Sequence, residues 1–274
     1  MDREVEMPVL RLAGLTLLAA WIFPVVLSAQ ETSAPAPSAE TKTKSAETKT
    51  KTKKSTRRAR SSGPRTYMGR VIAPVMTYEG AEWLVRPERE QEEQPDAMLD
   101  ALKIRAGETV ADVGAGVGYT SLRLAKRVGP KGLVLATDLQ PEMLRMLSAN
   151  VKEAGLKNIR PIRCTPTDPK LPEEQVDLIL MVDVYHECTE PETTLKGLRK
   201  ALRPGGRLVL VEFRGEDPDV PIRPEHKMTF AQVRREIEPQ GFTFKEKFDF
   251  LPWQHIIVFE KPAAKAKAAA SAVP

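Results

Sequence analysis

Residues Val110–Tyr119 read VADVGAGVGY, an apolar run that ends in an acid and passes into three glycines at alternate positions. Val110, Ala111 and Val113 suit a strand buried on both faces of a parallel sheet, and Tyr119–Val128 carries helical spacing through Leu122, Ala125 and Val128. The unit is therefore strand, glycine turn, helix. Gly114, Gly116 and Gly118 bring no Cβ atom, so the backbone can turn tightly and a ligand can lie against it, while the new helix offers unpaired N–H groups to an anion. A cofactor is expected at this turn.

Spacing decides which cofactor. A dinucleotide fingerprint is G-x-G-x-x-G, whereas here the third glycine comes one residue early, at Gly118, and Tyr119 stands in its place. Asp112, two residues before the first glycine, would also repel a pyrophosphate. An acid followed by G-x-G-x-G after the first strand resembles the first motif of the class I S-adenosylmethionine (SAM)-dependent methyltransferases. The resemblance implies that Asp112, Gly114, Gly116 and Gly118 hold SAM, with the acid toward its cationic end and the helix N-terminus toward its carboxylate.

Downstream, Leu133–Thr137 reads as a second buried strand ending in Asp138, and Pro141–Ala154 as a helix with proline in its first turn and Gly155 as its stop. An acid at the end of strand two is where this fold class grips ribose hydroxyls, because a carboxylate accepts two hydrogen bonds from a vicinal diol. Asp138 stands there, and can equally cap a helix. Ile159–Arg163 is a third strand, followed by the loop CTPTDPKLP with Asp168. In the methyltransferases an acid near that point commonly receives the adenine amino group, although Asp168-Pro169 is also a turn opening. Val176–Val182 is a fourth strand, followed by Asp183, Val184, Tyr185, His186 and Glu187, and Pro191–Leu202 is the next helix. Asp183 joins the expected cofactor set.

ALRPGGRLVLVEF, Ala201–Phe213, is the second strong resemblance: helix end, proline and paired-glycine turn, fifth buried strand. Thr229–Glu238 is a helix opened by a Thr-x-x-Gln capping box, and Phe242–Phe248 with His255–Glu260 reads as a closing antiparallel hairpin. The likeness covers about residues 95–260. It implies an α/β, Rossmann-like sheet of seven strands in the order 3-2-1-4-5-7-6, the last strand antiparallel, with helices on both faces.

Methyl transfer from a sulfonium is an in-line displacement, so the protein chiefly holds a nucleophile on the methyl axis and excludes water; only some acceptors need a general base. Catalytic groups of open α/β sheets gather beyond the carboxyl ends of the strands, which singles out Tyr185 and His186. His186 can also be a hydrogen-bonded structural histidine, and His226, after strand five, has a weaker claim. No C-x-x-C or His-rich cluster points to a metal, and Cys164 and Cys188 fall on strands too far apart for a disulfide. Three functions compete: a methyltransferase acting on a small-molecule acceptor, a nicotinamide-dependent enzyme, and a SAM-binding domain displayed from a membrane without catalysis. Glycine spacing disfavours the second, and the intact acids and glycines disfavour the third.

Charge separates the ends of the chain from its middle. Of 274 residues carrying a net +5, the linker 30–66 holds ten Lys or Arg against three Glu and repeats SAETKTK at Ser38 and Ser45. This stretch has no core residues and is expected to be a disordered basic tether. Without it, the leader and the tail after Glu260, the domain and the segment before it carry about −4, so the isoelectric point of 9.1 belongs to the ends. A nucleic-acid-binding domain carries its basic footprint on the folded part, so no nucleic-acid partner is expected. The tether either meets an anionic membrane surface or stays solvated. Tyr67–Gln94 is expected to be a helical flap, with Met76, Tyr78 and Trp83 available to cover the cofactor.

Leu12–Leu27 is an apolar run preceded by Arg11 and followed by Ser28 and Ala29, the pattern of a secretory signal peptide. Export collides with the cytoplasmic supply of SAM. An uncleaved anchor would resolve the collision, since 18 residues at about 1.5 Å each span about 27 Å and the basic tether would hold its flank inside. The targeting segment favours export, with a cytoplasm-facing anchor as the alternative.

Overall fold

The computed structural model describes residues 63–263. The leader, most of the linker and the tail from residue 264 lie outside the described residues. Seven strands run β1 Thr109–Val113, β2 Leu133–Asp138, β3 Ile159–Arg163, β4 Val176–Val182, β5 Leu202–Arg214, β6 Thr243–Phe248 and β7 Gln254–Glu260. They pair in the order 3-2-1-4-5-7-6, parallel from β3 through β5, with β7 antiparallel to both β5 and β6. The two-residue strand Lys227–Met228 adds itself parallel to the end of β5.

Strand parity sorts the core. Ala111, Val113, Leu135, Ile179, Met181, Leu208, Leu210 and Ile257 face one side, where α5 (Pro191–Ala201) and α6 (Phe230–Ile237) cover them through Leu195, Leu198, Val233 and Ile237. Val110, Val134, Leu178, Leu180, Val209, Val211 and Ile256 face the other, under α2 (Pro95–Ala101) and α3 (Tyr119–Val128). Fully burying each of the Val, Leu, Ile and Met side chains among them stabilises the fold by about 1.5–3 kcal/mol. Because β1 is central and covered on both faces, the glycine turn at its carboxyl end has a rigid base.

Several expected elements take a different form. The turn foreseen at Arg203–Gly206 is absorbed into β5: Leu202 pairs with Val176, and the register then shifts so that Arg207 meets Leu178. The capping box before α6 is only half made. Thr229 Oγ1 accepts from the Gln232 amide at 3.1 Å, but the Gln232 side chain turns away to the Met68 carbonyl and Glu236. The segment before the domain is not one helical flap. It comprises a short hairpin (Thr66–Tyr67 with Arg70–Val71), an extended stretch, a 3-10 helix over Tyr78–Val85 and α1 (Arg89–Glu93). Glu236 ties this segment down: Arg70 grips its carboxylate at 2.7 and 3.1 Å while donating to the His186 carbonyl at 2.9 Å.

Candidate active site

A cavity of about 770 Å³ opens at the carboxyl ends of the strands, within the range of about 300–1,000 Å³ usual for small-molecule sites. The glycine turn, the ends of β2 and β4 and the loop after β5 form its floor, and Val75, Met76, Trp83 and Leu84 of the preceding segment wall it from above. Trp83 remains 49% exposed, with the Arg86 guanidinium 3.7 Å over its ring. The turn is held from β2, whose Thr137 carbonyl accepts from the amides of Gly114 and Ala115 at 2.9 Å each.

Two glycines are required by geometry. Gly114 has φ +75° and a Cβ there would lie 2.5 Å from Val184 Cγ2; Gly116 has φ +53° and a Cβ there would lie 2.7 Å from Leu84 Cδ1. Both line the cavity, so a side chain at either would fill the space a cofactor needs. Gly118 lies outside the lining, at the left-handed cap of α3 beneath Leu147 of α4 (Pro141–Glu153).

Asp138 is buried at the wall. Its Oδ2 accepts from the Gly116 amide at 2.9 Å and its Oδ1 from the Gln140 amide at 2.8 Å, so one carboxylate joins the glycine turn to the start of α4. Burial raises its pKa against the lowering effect of these bonds. Asp183, held at φ +55°, lines the cavity from the end of β4. Its Oδ2 accepts from Gln254 at 2.9 Å, while Oδ1 is buried without a partner. Burial and the neighbouring carboxylates of Glu93 and Glu212 push its pKa well up. An unpartnered carboxylate oxygen beside a glycine cradle is an acceptor that the ammonium group of SAM would satisfy.

Asp112 and Asp168 are not brought to the cavity. Asp112 shares strand parity with Val110, so its side chain points beneath α3, where it accepts from Ser121 Oγ at 2.5 Å. Burial raises its pKa to about 6. Asp168 sits in a surface turn, accepting from the Lys170 amide at 2.8 Å and pairing with the Lys170 ammonium at 2.6 Å, which lowers its pKa.

Tyr185 is likewise out of reach. It is fully buried, and its hydroxyl donates to Glu236 Oε2 at 2.8 Å on the α6 side of the sheet. The expectation of a catalytic Tyr185 or His186 therefore narrows to the histidine. His186 lines the cavity at 2% exposure. Its Nδ1 lies 2.5 Å from Glu212 Oε2, whose other oxygen accepts from the Tyr185 amide at 2.9 Å, and its Nε2 lies 3.0 Å from His226 Nδ1. Glu187 completes the group, its Oε1 accepting from the Met76 amide at 3.3 Å. Burial raises the Glu187 pKa to about 7, and burial together with His186 lowers that of His226.

Sequence reasoning passed over Glu187, Glu212, Arg89 and Glu93. Glu212 is the second-to-last residue of the ALRPGGRLVLVEF run and interrupts its apolar end, which was its one visible signal. Arg89 and Glu93, paired at 2.6 Å, line the cavity from α1. The two cysteines are both free.

A family model described as a methyltransferase domain matches residues 110–206. A SAM-dependent methyltransferase of Aquifex aeolicus superposes with a TM-score of 0.65 at 27% identity, covering 68% of this chain and 100% of that one. The folded domain thus has the fold and the matching methyltransferase-domain segment of the class I SAM-dependent methyltransferases. SAM is accordingly the cofactor of this methyltransferase domain, and Gly114, Gly116, Asp138 and Asp183 line the cavity that could hold it. A methyltransferase of Methanococcus maripaludis shares the fold with a TM-score of 0.57 at 16% identity, covering 71% of this chain and 98% of that one. Among curated proteins, the ubiquinone/menaquinone biosynthesis C-methyltransferase UbiE of Citrobacter koseri is 28% identical over 116 residues, 42% of this chain. The methyltransferase match spans 46% of that relative's length, about half.

Proposed function

We propose that the protein transfers a methyl group from SAM to a small-molecule acceptor held at the His186 end of the cavity. The carrying observation is that one cavity is lined both by the glycine turn with Asp138 and Asp183 and by a partly apolar set, His186, Phe213, Ile222 and His226. Asp138 serves the ribose and Asp183 the positive end of the cofactor. In the transfer, the sulfur–methyl bond breaks as the acceptor–methyl bond forms, and S-adenosylhomocysteine leaves.

His186 serves the acceptor. With Glu212 accepting its Nδ1–H, the imidazole keeps a lone pair on Nε2, which faces His226 Nδ1 at the cavity wall. The preceding segment, through Met76, Trp83 and Leu84, covers the site and keeps water from the methyl axis. The protein reaches its site of action through export directed by residues 12–29, with no nucleic-acid partner and with the basic linker available to an anionic surface.

Mass spectrometry of products formed from methyl-labelled SAM and a cell extract tests the reading. A labelled small molecule is expected. Labelled protein or nucleic acid would replace the acceptor class, and SAM binding without any labelled product would favour a non-catalytic SAM-binding domain.

A further inference from the structure

His186, Glu187 and His226 each present a ligand atom within 4.8 Å of the others at the cavity wall. From this geometry we infer that the three side chains form a site for one divalent first-row transition ion. The two histidine nitrogens, His186 Nε2 and His226 Nδ1, are 3.0 Å apart, the spacing of two donors about 2.1 Å from one ion at a right angle. Two imidazoles and one carboxylate suit Zn²⁺ and its first-row neighbours better than Mg²⁺ or Ca²⁺, which favour all-oxygen sets.

The surroundings favour a ligand role over a simple histidine pair. Glu212, fully buried, lies 2.5 Å from His186 Nδ1, the carboxylate–histidine pairing that fixes a metal-binding tautomer and makes the other nitrogen the better donor. Glu212 is itself anchored by the Tyr185 amide, and the His186 carbonyl accepts from the Ala73 amide and from Arg70. His186 is thus immobilised at both its ring and its backbone. The pairing of Lys227–Met228 with Phe213–Arg214 at the end of β5 delivers His226 beside it. Glu187 is held lightly, by one amide at 3.3 Å, and is free to swing onto an ion. The carboxylates of Glu187 and Glu212 offset the charge of a dication, and three protein ligands leave positions open toward the cavity.

Ion binding does not depend on methyl transfer. The use of those open positions, coordination of an oxygen-bearing acceptor beside the transferring methyl, rests on the methyltransferase reading. Metal displaces the hydrogen bond between the histidines: His226 then carries its proton on Nε2, and both facing lone pairs go to the ion.

Full-length protein stripped by a chelator is titrated with Co²⁺, followed by visible absorption, and then with Zn²⁺ as competitor. One Co²⁺ per chain, with absorption bands of a nitrogen-ligated ion that Zn²⁺ abolishes, is the expected result. His226→Ala and Glu187→Gln should each weaken the ion by about tenfold or more. His186→Ala opens the buried core and is not relied upon; His226 and Glu187 are only partly buried, and thermal melts verify their folding. Absence of stoichiometric binding, or binding that both variants leave unchanged, overturns the site. SAM titrated into the stripped protein separates the two inferences: SAM binding without Co²⁺ binding sinks only the metal, and Co²⁺ binding without SAM binding sinks only the cofactor reading.

Discussion

Glu212 Oε2 lies 2.5 Å from His186 Nδ1, and both side chains are buried beneath the acceptor end of the cavity. The carboxylate accepts from the ring and so leaves the lone pair on Nε2. Glu212→Gln conserves shape but presents an amide N–H₂ to Nδ1 once its oxygen keeps the Tyr185 amide. The ring must then move its proton to Nε2. Turnover of labelled SAM should fall by about 10- to 100-fold, with SAM affinity by calorimetry nearly unchanged. A parallel loss of SAM affinity would make the pair a structural prop of the cofactor half instead.

Asp138 is expected to matter twice. Asp138→Ala removes ribose acceptors, which should weaken SAM by about 1–3 kcal/mol, or about 5- to 150-fold. It also frees the Gly116 and Gln140 amides, so the melting temperature should drop in the absence of SAM. Gly116→Ala, which drives a methyl group toward Leu84 and strains φ, should weaken SAM with a smaller effect on melting. Calorimetry with SAM, S-adenosylhomocysteine and NAD checks all three variants' parent: NAD should not bind, and comparable NAD affinity would refute the assignment of the turn.

Asp112 gives a pH dependence with a definite sign. Its pKa is raised by burial from 3.8 to about 6 in the folded protein. Its contribution is therefore fully present below the unfolded value and is lost as pH rises through about 6. Above that, the ionised carboxylate under α3 costs the fold up to about 3 kcal/mol. Asp112→Asn keeps an acceptor for Ser121 without the charge. Its melting temperature should exceed that of the wild type at about pH 8 and approach it at about pH 4. An advantage that is the same at both pH values would mean that Asp112 is not the group responsible.

Export directed by Leu12–Leu27 predicts a mature N-terminus just after Ser28 or Ala29 and a domain open to added protease in intact cells. N-terminal sequencing with protease accessibility tests it. A protected domain that still carries residues 12–29 would instead identify a cytoplasm-facing anchor, in direct reach of SAM.

Local pattern was enough to read the strand, glycine turn and helix of Thr109–Val128, because burial on both faces of a central parallel strand writes itself as a short apolar run and the turn demands glycine. The same holds for β2 and β4, whose apolar runs match their observed spans closely, whereas β3, IRPIR, is an exposed edge strand. Side-chain direction was less legible. Asp112 and Gly114 are two residues apart, yet strand parity sends the first under α3 while the turn opens the second to the cavity. Tyr185 and His186 are adjacent, yet one donates to Glu236 in α6 and the other meets Glu212 and His226.

Nor does any spacing rule link His186, Glu187, Glu212 and His226, which are scattered over 40 residues. They converge because β4 and β5 are hydrogen-bonded neighbours and the chain after β5 returns along its end. The sequence by itself determined the order of the elements and the place of the cofactor turn, since both follow from short-range periodicity and backbone sterics. Tertiary structure decided which side chains share the cavity, because that depends on strand neighbours and parity, quantities created only when distant segments pair.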